Sequence, residues 1–215
     1  MNQTAPIVHV VDDDASFLKA VSRFLRISGF TVKTFDSAAA LLAEVSPGTR
    51  GCVIADLRMP GVSGLELQDA LEKSRLLLPV VFLTGQGDIP STVRAMRHGA
   101  EDFLEKSSPK SQLFAAVNRA LDREAREHAE RTRLQTLRAT FDALSPRERE
   151  VLAHVLRGQL NKQIAADLGI CERTVKAHRT AITTKLGVHS VAELSRLAQQ
   201  AGWFGMDAAN FPKGQ

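Results

Sequence analysis

A chain of 215 residues, 44% hydrophobic and 24% charged, has material for two small cores rather than one large one. It has no run of about 18 apolar residues, and MNQTAPIVHVV lacks the basic segment and cleavage site of a secretory signal, so no membrane span is expected and the chain reads as cytoplasmic. The formal net charge of +4 is uneven: residues 1–120 hold 13 Lys and Arg against 13 Asp and Glu, and residues 121–215 hold 15 against 11. Excess cations in the second part fit a polyanionic partner, through phosphate neutralisation and counterion release, but decide nothing alone. Cys52 and Cys171 are far apart and lack metal-ligand spacing, which argues for two free thiols.

The first part alternates short β-branched runs with amphipathic stretches. Strands are predicted at Ile7 to Val11, Thr31 to Phe35, Cys52 to Ala55, Pro79 to Leu83 and Asp102 to Leu104. Helical spacing fills the gaps at Ala15 to Ser28, Ser37 to Val45, Ser63 to Ser74 and Pro90 to His98. Ser37 and Ser63 suit helix starts, and Gly29 and Gly99 suit helix ends. Such alternation implies a parallel sheet covered on both faces, with the Val- and Ile-rich first, third and fourth strands at its centre.

From Pro109 the pattern is helical. Gln112 to about Arg138 reads as one helix, apolar at Leu113, Val117, Leu121 and Ala125 and then heavily charged, a solvated linker face. Ser145-Pro146-Arg147-Glu148 opens a further helix, with Ser as cap, Pro first and Glu third. Asn161 to Leu168, Gly169, and Glu172 to Leu186 form a helix-turn-helix, and Val191 to Gln199 a last amphipathic helix. The domain boundaries expected are 1–120, a helical linker 121–142, a DNA-binding domain 143–202 and a tail 203–215, whose Trp203 and Phe204 are candidates to dock back.

Polar residues fall at the strand ends: Asp12, Asp13 and Asp14 after the first, Asp56 after the third, Thr84 after the fourth and Lys106 after the fifth. In an open parallel sheet that edge is where ligands bind. If the order is 2-1-3-4-5, Asp12, Asp13 and Asp56 crowd together and repel unless a cation sits among them. An oxygen-ligated ion that keeps waters and accepts phosphate is most simply Mg²⁺. Asp14 alone reads better as a helix cap.

The runs VVDDD, DLRMPGVSGLEL, FLTGQGDI and RAMRHGAEDFLEK resemble the receiver domain of two-component response regulators, with its flavodoxin-like doubly wound fold of five parallel strands. That resemblance implies that Asp56 is the phosphoacceptor, charged by a sensor histidine kinase. It further implies that Asp12, Asp13, Asp56 and the Arg58 carbonyl hold Mg²⁺, that Thr84 and Lys106 bind the phosphoryl group, and that Phe103 occupies the aromatic switch position. The family usually has Pro after this Lys, with a cis bond presenting it. Here Ser107 follows, and a cis bond before a non-Pro residue costs about 2.5–4 kcal/mol against about 0.5–1 before Pro. Lys106 is therefore expected in a trans or mobile loop, less well aimed at the site.

LSPREREVL, NKQIAADLGI and ERTVKAHRTAITTKLGV are similar to the LuxR-type all-α helix-turn-helix domain of the FixJ/NarL group. By that resemblance Glu172, Lys176 and Arg179 face the major groove, while Lys162, Thr174, His178 and Lys185 contact backbone or neighbouring bases of double-stranded DNA. Val175, Ile182 and Leu186 are read as core. Cys171 replaces the usual Ser or Thr cap of the second helix, which removes a good N-cap. The resemblance implies a transcriptional regulator rather than an enzyme, a homodimer when phosphorylated, with RNA polymerase a further candidate partner. Two rivals stand beside it. One is an Mg²⁺-dependent aspartyl-phosphate phosphatase or phosphotransferase, against which the helix-turn-helix half argues. The other is a DNA-binding scaffold regulated without phosphate, which the missing Lys-Pro pair allows.

Overall fold

The computed structural model describes residues 5–85 and 89–203. The chain divides into two compact units, residues 1–129 and 130–215. In the first, β1 (Ile7–Val11), α1 (Ala15–Ile27), β2 (Thr31–Phe35), α2 (Ala38–Glu44), β3 (Gly51–Asp56), α3 (Gly64–Lys73), β4 (Val80–Thr84), α4 (Ile89–Arg97) and β5 (Asp102–Glu105) alternate in chain order. The strands are parallel and ordered β2-β1-β3-β4-β5. Every residue of β3 and β4 is buried, and four of the five in β1, whereas in the edge strands only Phe35 of β2 and no residue of β5 is buried. This is the burial that the Val/Ile-rich runs require, because a central parallel strand is covered on both faces.

Side-chain alternation splits the core. Val11, Val53, Ala55 and Phe82 meet Leu41, Leu67 and Leu71 on one face of the sheet. Val8, Val10, Ile54, Val81 and Leu83 meet Leu25, Leu113 and Val117 on the other. Helix starts follow local chemistry. Asp14 caps α1, accepting from the Ser16 and Phe17 N–H groups at 2.8 and 3.1 Å. Ser63 and Glu66 form a reciprocal capping box at α3.

Helix α5 (Lys110–Asp142) is longer at both ends than its apolar spacing predicts. Leu113, Ala116, Val117 and Ala120 are buried, but the expected inward Ala125 is exposed. Glu124 takes the inward place, only 2% exposed, because the Arg50 guanidinium grips it from the start of β3 with bonds of 2.6 and 3.0 Å. That bidentate bond raises the Arg50 pKa. Apolar periodicity is blind to an inward carboxylate that has its cation.

The second unit contains the end of α5, α6 (Pro146–Leu156), α7 (Asn161–Leu168), α8 (Glu172–Leu186) and α9 (Val191–Ala201). Ser145 and Glu148 make the capping box at α6. Gly169 closes α7 at φ 63°, a left-handed turn that suits glycine. Val151, Leu152, Ile164, Val175, Ile182, Leu194 and Ala198 form the core, with Leu186 packed at its margin. Phe141 and Leu137 of α5 join this core from one side and Ala201 and Trp203 from the other, the Phe141 and Trp203 rings 6.3 Å apart. The expected docking of Phe204, with the rest of the tail, lies outside the described residues.

Candidate functional site

The parallel register brings scattered residues to one edge. Val11 pairs with Ala55, Asp56 with Leu83 and Thr84 with Glu105, so Asp12, Asp56, Thr84 and Lys106 stand at neighbouring strand ends. Asp12, Asp56 and Thr84 are buried, at 0%, 8% and 1% exposure, and Asp13 is exposed. One carboxylate oxygen from each of Asp12, Asp13 and Asp56 lies within 4.8 Å of the others. Gly64 makes room behind the cluster: a Cβ there would stand 2.3 Å from the Asp56 carbonyl oxygen, so α3 begins against the backbone of Asp56.

Lys106 reaches this cluster. Its Nζ lies 3.0 Å from Asp56 Oδ2 and 2.6 Å from Asp12 Oδ2, and 4.4 Å from the centre of the Phe17 ring. No cis peptide bond occurs among the described residues, so the Lys106–Ser107 bond is trans as expected. The expectation that Lys106 is poorly aimed is corrected. The Lys106 N–H donates to Thr84 O at 2.7 Å, the Ser108 N–H to Glu105 O at 2.9 Å and Ser107 Oγ to Glu105 at 3.1 Å. These bonds shape the loop without proline.

Burial pushes the Asp12 carboxyl above its usual range, against the opposing pull of Lys106. Burial would lower the Lys106 pKa, but the hydrogen bonds and charges of Asp12 and Asp56 raise it overall. Asp12 Oδ1 accepts the Asp14 N–H at 2.9 Å, while Oδ2 is buried with an ion pair but no hydrogen bond of good geometry. A buried oxygen held by a lysine ammonium, beside two further carboxylates, suits a hard, oxygen-ligated cation. The Arg58 N–H stands 3.4 Å from Asp56 Oδ1, which places Arg58 at the rim. Phe103 is half-buried on β5, 6.0 Å from the Phe82 ring.

In the second unit, α7 and α8 enclose an open groove of about 620 Å³ lined by Lys162, Glu172, Lys176, Arg179, Thr180 and Thr183, with Leu160 and Asn161 at one end. Lys162, Glu172 and Lys176 are exposed, and Arg179 is half-buried. The chain matches the family described as "Response regulator receiver domain" over residues 8–118, and "Bacterial regulatory proteins, luxR family" over residues 142–198. The chain belongs to the response regulators that carry a luxR-family domain.

Similarity extends along nearly the whole chain. Nodulation protein W of Bradyrhizobium diazoefficiens is 39% identical over 199 residues, 93% of this chain and 88% of that one. The transcriptional regulatory protein FixJ of Azorhizobium caulinodans is 42% identical over 195 residues, 91% and 92% of the two chains. Among solved structures, the response regulator StyR is 44% identical, with a TM-score of 0.83 over 92% of this chain and all of that one. The protein is thus a phosphorylation-dependent transcription regulator with a receiver and a DNA-binding domain. No helix among the described residues is long and apolar enough to cross a membrane.

Within this response regulator, the expected DNA-facing residues separate. Lys162, Glu172, Lys176 and Arg179 share the groove. Thr174 and His178 are half-buried outside its lining, and the Thr174 hydroxyl lies 3.1 Å from Cys171 Sγ. Cys171 makes no side-chain cap of α8, as expected. Lys185 is turned instead to Glu148, 2.7 Å away, at the start of α6. Helical spacing from Lys176 would have added Thr180 and Thr183 to the groove. Asn161 and Phe17 carry no such signal, because their partners Arg179 and Lys106 belong to distant elements.

Proposed function

We propose that Asp56 is the phosphoacceptor of this response regulator and that a sensor histidine kinase in the cytoplasm is its donor. The observation that carries the proposal is the Lys106 ammonium shared between Asp56 and Asp12 at a buried strand edge. An Asp56 oxygen attacks the phosphorus of a phosphohistidine, an O–P bond forms, and the P–N bond breaks with its electron pair leaving on the imidazole. Lys106 is already placed to neutralise charge on the transferring oxygens, and Thr84, at the end of β4, offers a hydroxyl to the new acyl phosphate. Asp12, Asp13, Asp56 and the Arg58 carbonyl are the residues to hold Mg²⁺, which when bound supplies further neutralisation of phosphoryl charge.

The same proposal extends outward. Phe103 adjoins this edge through β5, and α4 carries an exposed apolar stripe of Ile89, Val93 and Met96 at three- and four-residue spacing. That stripe favours a homodimer formed through α4 and β5 on phosphorylation. In the second domain Lys176, Arg179 and Glu172 read bases of double-stranded DNA, and Lys162 contacts phosphate. Acetyl phosphate or beryllofluoride with Mg²⁺ should modify the wild type and leave Asp56→Asn unmodified, while sedimentation shows dimer only for the modified protein. Equal labelling of Asp56→Asn would refute the phosphoacceptor, and an unchanged mass would refute the dimer.

A further inference from the structure

A polar contact in the groove joins its two helices. Asn161, the first residue of α7, accepts a hydrogen bond from Arg179 Nη1 of α8 on its Oδ1, at 2.9 Å. Arginine has donors only, so the amide must present its oxygen to the guanidinium, which leaves the Asn161 NH₂ available to another acceptor. Among the described residues the Arg179 guanidinium has no other hydrogen bond or ion pair, so its remaining donors are available to a ligand in the groove.

Both backbones are fixed. The Leu160 N–H donates to Gln163 Oε1 at 2.8 Å, and Ile164 is fully buried, which sets the entry of α7. Val175 and Ile182, four residues before and three after Arg179, anchor α8 in the core. What remains free is the long Arg179 side chain, rich in rotamers, and bidentate recognition of a base edge demands one orientation of its planar fork.

We infer that Asn161 is a positioning residue for sequence recognition: its amide oxygen holds the Arg179 guanidinium in the attitude that reads a base edge. The inference rests on the proposed DNA-reading role of Arg179. Asn161 is asked to supply discrimination between sequences, since a guanidinium that swings freely still attracts phosphate equally on all DNA. A plain staple between α7 and α8 would behave differently. Its loss would loosen the domain and weaken binding to every duplex together.

The full-length protein, with Mg²⁺ and beryllofluoride, is used to select a preferred duplex from a randomised pool. Wild type, Asn161→Ala, Arg179→Ala, the double variant and Asn161→Asp are then titrated on that duplex and on a random one, with thermal unfolding measured in parallel. Asn161→Ala should lose about tenfold of the preference, about 1.4 kcal/mol, with affinity for the random duplex unchanged. In the Arg179→Ala background the same substitution should do nothing further. Asn161→Asp keeps the acceptor oxygen, so it should keep the preference while its charge weakens both duplexes. An unchanged preference in Asn161→Ala, a parallel loss on both duplexes with a lowered Tm, or a full effect in the absence of Arg179 would each overturn the inference and leave the DNA-reading function standing. Failure of wild type to enrich any sequence would overturn both.

Discussion

In the receiver pocket Asp12, Asp56 and Thr84 are buried and Lys106 answers two carboxylates at once, whereas in the helix-turn-helix groove Lys162, Glu172 and Lys176 are exposed and Arg179 leans on a single amide. The pocket closes its charges on one another before any ligand arrives. The groove leaves its charges to be answered by the ligand. A reaction centre gains from charges fixed where the transition state needs them, while a reading surface must keep its donors for the polymer it reads. Substitutions should therefore act sharply in the pocket and by degrees in the groove.

The sharpest test of that contrast is Lys106→Ala. It removes the ammonium held by Asp12 and Asp56, and phosphorylation by acetyl phosphate should slow about a hundredfold, the usual loss for one preorganised donor. A near-wild-type rate would show that the pocket does not depend on this pairing. Next in size is Lys162→Ala in the groove. Its affinity loss should be the same on preferred and random duplexes, with the salt slope reduced by about 1. A loss confined to the preferred duplex would make Lys162 a base reader.

Lys185→Ala sharpens the boundary of the groove. Because the exposed Lys185 pairs with the buried Glu148, the change should cost about 1 kcal/mol in urea unfolding and leave DNA affinity unaltered. Lys185 holds the Glu148 carboxyl below the usual range. The pair's contribution is then full above the unfolded carboxylate pKa of about 4.3 and disappears as pH falls through the lowered folded value. The difference between wild type and variant should close in acid, and a weaker DNA complex at neutral pH would return Lys185 to the interface. The smallest effect is expected for Ser107→Pro. Lys106 already touches Asp56, so proline should not accelerate phosphorylation, and a faster variant would reveal a loop that the wild type leaves partly misplaced.

These outcomes track what the sequence could carry. The strand alternation and the acidic residues at strand ends are local patterns, so a parallel sheet with Asp12, Asp13 and Asp56 along one edge was legible from the residues, while their clustering followed only if the strand order was the one that the structure has. The aim of Lys106 was not, because it depends on a loop closed by Thr84 and Glu105 rather than on the residue after the lysine. Glu124 rather than Ala125 turns inward for a related reason: its burial requires Arg50, 74 residues away. Lys185 and Asn161 show the same limit in the second domain, since a helix face indicates which side chains share a surface and not which of them has a partner on another helix.

The meeting of Phe141 with Trp203 bears on where the DNA-binding domain can be excised. Arg138 Nε also donates to Ala201 O at 3.3 Å, so the last turns of α5 and the end of α9 fasten to each other. The family match from 142 to 198 includes neither half of this clasp. A fragment cut at those limits would expose the apolar faces that Leu137, Phe141, Ala201 and Trp203 cover, and its tendency to aggregate would mimic a failure to bind DNA. A self-sufficient piece must begin upstream of Leu137 and continue through Trp203.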